Sequence, residues 1–199
     1  MRSLETPVGV ILGKDVLEIF NAVLKPKEEY MDLVLVTFDW ISTTTLCRTG
    51  ELAPDLSQPG ALDAIVTLDK LRIGNTWFKD IPMEKRKPAL VSFQEDHAKG
   101  AYKHFSFWLT KHKAHSTEKQ AIIITCTSGT DKHNILSYLL NMLYIRALHG
   151  DTLHDSAPLF AIPLQNKSLK TDFLPLSYAD ICAADKIRTM ALGNLNIPF

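Results

Sequence analysis

The chain has 199 residues, 46% of them hydrophobic and 22% charged, enough for one good-sized folded domain. Twenty-two Lys and Arg balance 22 Asp and Glu, which argues against a nucleic-acid binder driven by a large basic excess but leaves room for a local basic face. Three scattered cysteines, Cys47, Cys126 and Cys182, form no CxxC pair, which disfavours a disulfide framework and a structural zinc site of the usual kind.

Met1 to Lys14 has no long apolar run and does not read as a signal peptide. No stretch approaches the roughly 18 to 20 apolar residues of a membrane span, so an intracellular location, cytoplasmic or nuclear, is expected. Val8 to Leu12 is a short apolar run closed by Gly13. Val16 to Leu24 has helical spacing, with Asp15 as its N-cap and Pro26 as its stop. Residues 1–31 therefore read as an N-terminal arm and 32–199 as the domain.

Leu33 to Asp39 (LVLVTFD) is continuous and apolar and predicts a central strand covered on both faces. A carboxylate at the end of such a strand needs a partner. Asp39 is read either as a cap on the Ser/Thr run that follows or as a metal ligand. Glu51 to Pro59 is polar and reads as a loop. Ala61 to Leu68 predicts the next strand, with a turn at Gly74-Asn75 and a third short strand at Trp77 and Phe78. Met83 to Pro88 reads as a charged connector. Ala98 to His115 predicts a helix with an aromatic side and a basic side. The basic side is a solvated face or a nucleic-acid contact.

Ala121 to Cys126 predicts a second buried strand. Thr127 to Thr130 turns it into a helix from about Asp131 to Leu148, stopped at Gly150. The unit lacks GxxxxGK[ST] and GxSxG, which disfavours a phosphate loop and a serine-hydrolase elbow. Cys126 reads as an inert buried thiol rather than a nucleophile. Asp131 is either a cap favoured by the helix dipole or a metal ligand. Pro158 to Leu164 predicts a last strand near a sheet edge, given its two prolines.

The chain closes on a helix over Asp180 to Met190 that carries the small residues Cys182, Ala183 and Ala184. Asp185 follows them, and Thr189 lies one turn later. This motif, with the order of strand ending in Asp39, two strands, helix, strand, helix near Asp131, strand and helix, resembles the DEDD-type 3′–5′ exonucleases of the ribonuclease H-like superfamily. The resemblance implies an α/β fold: a mixed sheet with antiparallel opening strands, then parallel strands, flanked by helices. It also implies carboxylates that hold two divalent ions, Mg or Mn, for phosphodiester hydrolysis. Carried over by position, Asp39, Asp131 and Asp185 stand in the metal-ligand places. Asp180 stands where the family has its catalytic His, with Tyr178 close by, and Ile41 stands where the family has a Glu. One ligand is thus replaced by an apolar side chain. The expectation is a degenerate, non-catalytic module that binds single-stranded RNA, single-stranded DNA or a protein partner. The alternative is an active exonuclease in which Glu51 or Asp180 substitutes for a missing group.

Overall fold

The computed structural model describes residues 30–102, 104–113, 116–125, 134–164, 172–184 and 186. Asp131, Asp185, Cys126, Thr189 and the arm helix expected at Val16–Leu24 lie outside them.

The first described element is helix α1, Tyr30–Thr45. It contains the LVLVTFD run, so the expected central strand is corrected to a helix. Sixteen residues free of Gly and Pro are long for a strand and ordinary for a helix. Leu33 to Phe38 are all buried, six in succession, as in a helix with protein on most sides. The hydroxyl of Thr37 donates to the Leu33 carbonyl one turn back, at 2.7 Å. Leu46, with φ of +54°, ends the helix in the left-handed conformation. Helix α2, Thr49–Leu52, and helix α3, Ala61–Ala64, follow as single turns. The strand expected over Ala61 to Leu68 is thus a helical turn followed by a 3-10 turn at Leu68–Lys70. Gly60 just before it, at φ of +76°, redirects the chain.

Strands β1, Leu71–Ile73, and β2, Thr76–Trp77, form a tight hairpin at the expected Gly74-Asn75 turn. Gly74 has φ of +55°, and a Cβ there would meet the Tyr102 ring at 2.8 Å, so only glycine fits. Helix α4, Met83–Ala98, replaces the expected charged connector and runs through Pro88. Its buried side is Arg86, Leu90, Phe93 and His97. Strands β3, His104–Lys113, and β4, Ser116–Thr125, form a long hairpin. The helix expected over Ala98 to His115 is therefore a strand. Phe105, Phe107 and Leu109 are buried and alternate with Ser106 and Trp108, a period of two. Strand β4 lies where a strand is expected, but Ile123 is 68% exposed, so it is covered on one face rather than buried; helix α5, Ile135–Leu148, agrees with expectation. The α5 N-cap is Asn134, whose side chain accepts from the backbone N–H groups of Leu136 and Ser137. Strands β5, Ala161–Leu164, and β6, Asp172–Pro175, pair with each other, and residues 178–184 form the described part of the closing helix, α6.

The four-stranded sheet has the order β2-β1-β3-β4, and every described strand pairing is antiparallel. The chain is thus mixed α/β. One core cluster joins Leu33 and Phe38 of α1, Leu90 and Phe93 of α4 and Leu139 and Leu143 of α5 to Phe105, Phe107 and Ile124 of the sheet. No helix among the described residues is long and apolar enough to cross a membrane.

Two side chains in this core yield measurable expectations. His97 is 2% exposed, and neither ring nitrogen has a hydrogen-bond partner among the described residues. A buried polar group left unbonded costs about 1–3 kcal/mol, so His97→Leu is expected to raise stability by about 1 kcal/mol, read as a higher urea midpoint at constant slope. The Tyr30 hydroxyl donates to the Ala161 carbonyl at 2.8 Å and ties α1 to β5. Burial pushes the Tyr30 phenol well above the ordinary tyrosine range; Arg146 pulls it down and Asp151 pushes it up, both by less. The folded state thus favours the protonated phenol. Its contribution is fully present below the unfolded-chain value near 10 and is lost as pH rises through the folded one. Unfolding measured from pH 9 to 12 should show a steeper loss above about pH 10 in the wild type than in Tyr30→Phe.

Candidate binding face and the predicted carboxylates

Of the carboxylates named from the sequence, Asp39 lies inside α1, half-buried between Phe38 and Trp40 rather than at a strand end. Asp180 has a local role. Its Oδ2 accepts from the Ser177 backbone N–H at 2.8 Å and from the Ser177 hydroxyl at 2.6 Å. The Ser177 Oγ in turn accepts the Asp180 N–H at 3.3 Å. Ser-Tyr-Ala-Asp over 177–180 is thus a capping box that starts α6. Glu51, the other substitute ligand, accepts the backbone N–H of Arg48 at 3.0 Å and caps α2. Among the described residues no three or more His, Cys, Asp or Glu are grouped so as to hold a metal ion. Of the three expected metal ligands only Asp39 is among the described residues; Asp131 and Asp185 lie outside them.

The surface that does gather chemistry is the open face of the four-stranded sheet. Residues directly opposite one another on paired strands point to the same side. Register places Trp77 opposite Arg72, Arg72 opposite Ser106, and Ser106 opposite Ile123, one transverse row across all four strands. The next positions along β3 and β4 on this side are Trp108 opposite Ala121 and His104 opposite Thr125. The reverse side carries Phe105, Phe107, Leu109, Ile122 and Ile124 and is buried under the helices. On the open side Ile123 is 68% exposed and Trp108 is 40% exposed. These two large apolar side chains lie on neighbouring positions of the same sheet face.

Two cations gather at one end of this row. The Arg72 guanidinium carbon lies 5.6 Å from the centre of the Trp77 ring, and the Lys79 Nζ lies 5.5 Å from it. Both distances are in the range of cation–π attraction. Arg72 also donates to the Asn75 side-chain oxygen at 3.3 Å. No carboxylate occurs among the residues that register places on this face.

A second polar cluster lies at the far end of α5, around two buried arginines. Arg146 is fully enclosed. Its Nε donates to Asp151 at 2.8 Å, and one terminal nitrogen donates to the carbonyls of Pro158 and Leu159 at 2.7 and 3.1 Å. Arg86 of α4 donates to the carbonyls of Ile81 and Leu153 and pairs with Asp155. Between them Leu153 is buried at φ of +50°, its N–H held by Asp151 at 2.8 Å. A cavity of about 240 Å³ opens beside this clasp, lined in part by Arg146, Thr152, His154 and Phe173. The sequence did carry a signal for it, because Arg146 stands three residues after Leu143 on the apolar stripe of its helix. A lone cation on an apolar stripe must find acceptors inside the fold.

Searches against family models, characterised proteins and solved structures find no match to the chain.

Proposed function

We propose that the chain is a non-catalytic nucleic-acid-binding module that works through the open face of its four-stranded sheet. One observation carries this reading: the transverse row Trp77–Arg72–Ser106–Ile123, with Trp108 beside it, combines exposed aromatic and apolar surface with cations and no carboxylate. Aromatic side chains offer stacking platforms to bases, and arginine and lysine offer charge to the phosphates. The net charge of zero fits a local contact of moderate strength rather than long-range capture.

An exonuclease-like ancestry is proposed with it on the strength of the sequence motif of Asp185 and Thr189 alone. The antiparallel order β2-β1-β3-β4 and the helical setting of Asp39 weigh against a working two-metal centre. The alternative, a 3′–5′ exonuclease dependent on Mg or Mn, makes a separate prediction. Manganese would raise the melting temperature of the wild type and leave Asp39→Asn and Asp185→Asn unmoved.

The binding reading is tested by fluorescence anisotropy with labelled single-stranded RNA, single-stranded DNA and duplex DNA. Binding of at least one of the three is expected, weakened about tenfold or more by Trp108→Ala. Absence of binding to all three at about 100 µM protein in low salt would overturn the reading and assign the face to a protein partner.

A further inference from the structure

We infer that Arg72 and Lys79, gathered on the Trp77 ring, form a phosphate subsite on the open sheet face. The inference rests on the nucleic-acid reading above and adds the chemical group that this corner of the face takes.

Arg72 is half-buried, and the two fully buried arginines show how this fold treats such cations. Arg86 and Arg146 each have an aspartate partner, Asp155 and Asp151. Arg72 has none among the described residues. Its polar contact is the neutral amide oxygen of Asn75 at 3.3 Å, and its Nε–H is enclosed with no acceptor. Lys79, beside the same ring, also lacks a carboxylate partner among the described residues and is exposed. The two charges lie 5.6 and 5.5 Å from the same ring centre, and an anion held at this corner of the face is attracted by both. The planar fork of Arg72 suits an oxyanion with two acceptor oxygens, and the ammonium of Lys79 adds a mobile point charge.

Position favours a phosphodiester over a free anion. Arg72 sits on β1, an inner strand, and its row continues through Ser106 to Ile123, with Trp108 on the adjoining register pair. Adjacent strands are about 4.8 Å apart. A chain lying across the sheet can therefore set one phosphate at Arg72 and a base near Trp108. Cations already occupy the neighbourhood of the Trp77 ring. Trp77 is thus the residue that positions the two charges, and Trp108 is the free aromatic surface.

The test uses the full chain, with melting temperatures to confirm that each variant is folded. Dissociation constants are measured against salt for a poly-uridine RNA, a mixed-sequence single strand and an abasic deoxyribose-phosphate oligomer. Arg72→Gln and Lys79→Gln are each expected to weaken binding by up to about tenfold, equally on every base sequence and on the abasic oligomer. Each should also lower the slope of log K against log salt by about one. Trp77→Leu, which releases both cations, should lose as much as the two together, whereas Arg72→Lys should recover part of the loss. Wild-type binding with an unchanged salt slope in folded Arg72→Gln and Lys79→Gln would overturn the subsite and leave the binding face standing. A wild type that binds none of the three oligomers would overturn the subsite, and one that binds no duplex DNA either would overturn the binding face as well.

Discussion

Asp151→Ala is expected to cost about 3–5 kcal/mol of folding stability, the usual consequence of stranding a buried charge. Arg146 is fully enclosed and Asp151 nearly so, at 0% and 9% side-chain exposure. Removing the carboxylate leaves the guanidinium in the interior with only neutral acceptors, the carbonyls of Pro158 and Leu159. It also frees the N–H of Leu153, whose left-handed backbone Asp151 holds in place. The measurement is urea unfolding of the two proteins. Arg146→Met in the Asp151→Ala background is the control, because removing both charges should restore much of the loss. A cost below about 1 kcal/mol for Asp151→Ala would mean that the pair behaves as a solvent-exposed one.

Phe38→Ala is the second large effect, also about 3–5 kcal/mol, from lost burial and the cavity left behind. Phe38 is 1% exposed and meets Phe160 edge-on, with ring centres 5.4 Å apart. It therefore joins α1 to the chain just before β5. Thr43→Ala tests the helical state of the same segment from its exposed side. Alanine is the better helix former by a few tenths of a kcal/mol, so this change should raise stability slightly. A strand there would reverse the sign, since threonine is favoured over alanine in strands. Both changes are read from urea midpoints, and a loss at Thr43→Ala would contradict the helix.

Each element whose state differs from the expectation has a local pattern that leaves more than one state open. A run of consecutive apolar residues is equally compatible with a strand covered on both faces and a helix covered on most sides. LVLVTFD satisfies both, and its β-branched valines point towards the strand. The packing of α1 against α5 and the sheet decides for the helix. The aromatic stretch around Phe105 failed in the other direction. Tyr102, Phe105 and Leu109 fall at helical spacing, while Phe105, Phe107 and Leu109 fall at strand spacing. The hairpin with β4, whose register runs the length of both strands, selects the second. Met83 to Pro88 reads as a charged connector, yet α4 runs through Pro88, with Arg86, Leu90 and Phe93 facing the core on either side of it.

The candidate carboxylates divide in a similar way. Ser177-Tyr-Ala-Asp180 is a capping-box pattern legible in the sequence alone, and it coincides with the place where the family resemblance expects a catalytic group. The sheet face was not legible, because Arg72, Trp77, Trp108 and Ile123 are separated by up to 51 positions in sequence and meet only through strand register.

By itself the sequence determined the local features that depend on neighbours along the chain. These are the Gly74-Asn75 hairpin turn, the apolar strand before Thr125 and the apolar α5 helix. Each rests on a turn residue or a periodicity that needs no distant partner. The tertiary structure alone decided the state of the ambiguous apolar runs, the antiparallel order of the sheet and the acceptors of Arg86 and Arg146. The reason is that burial, not local propensity, supplies most of the free energy that chooses between helix and strand. Burial is a property of which segments meet, and that is settled only when the whole chain packs.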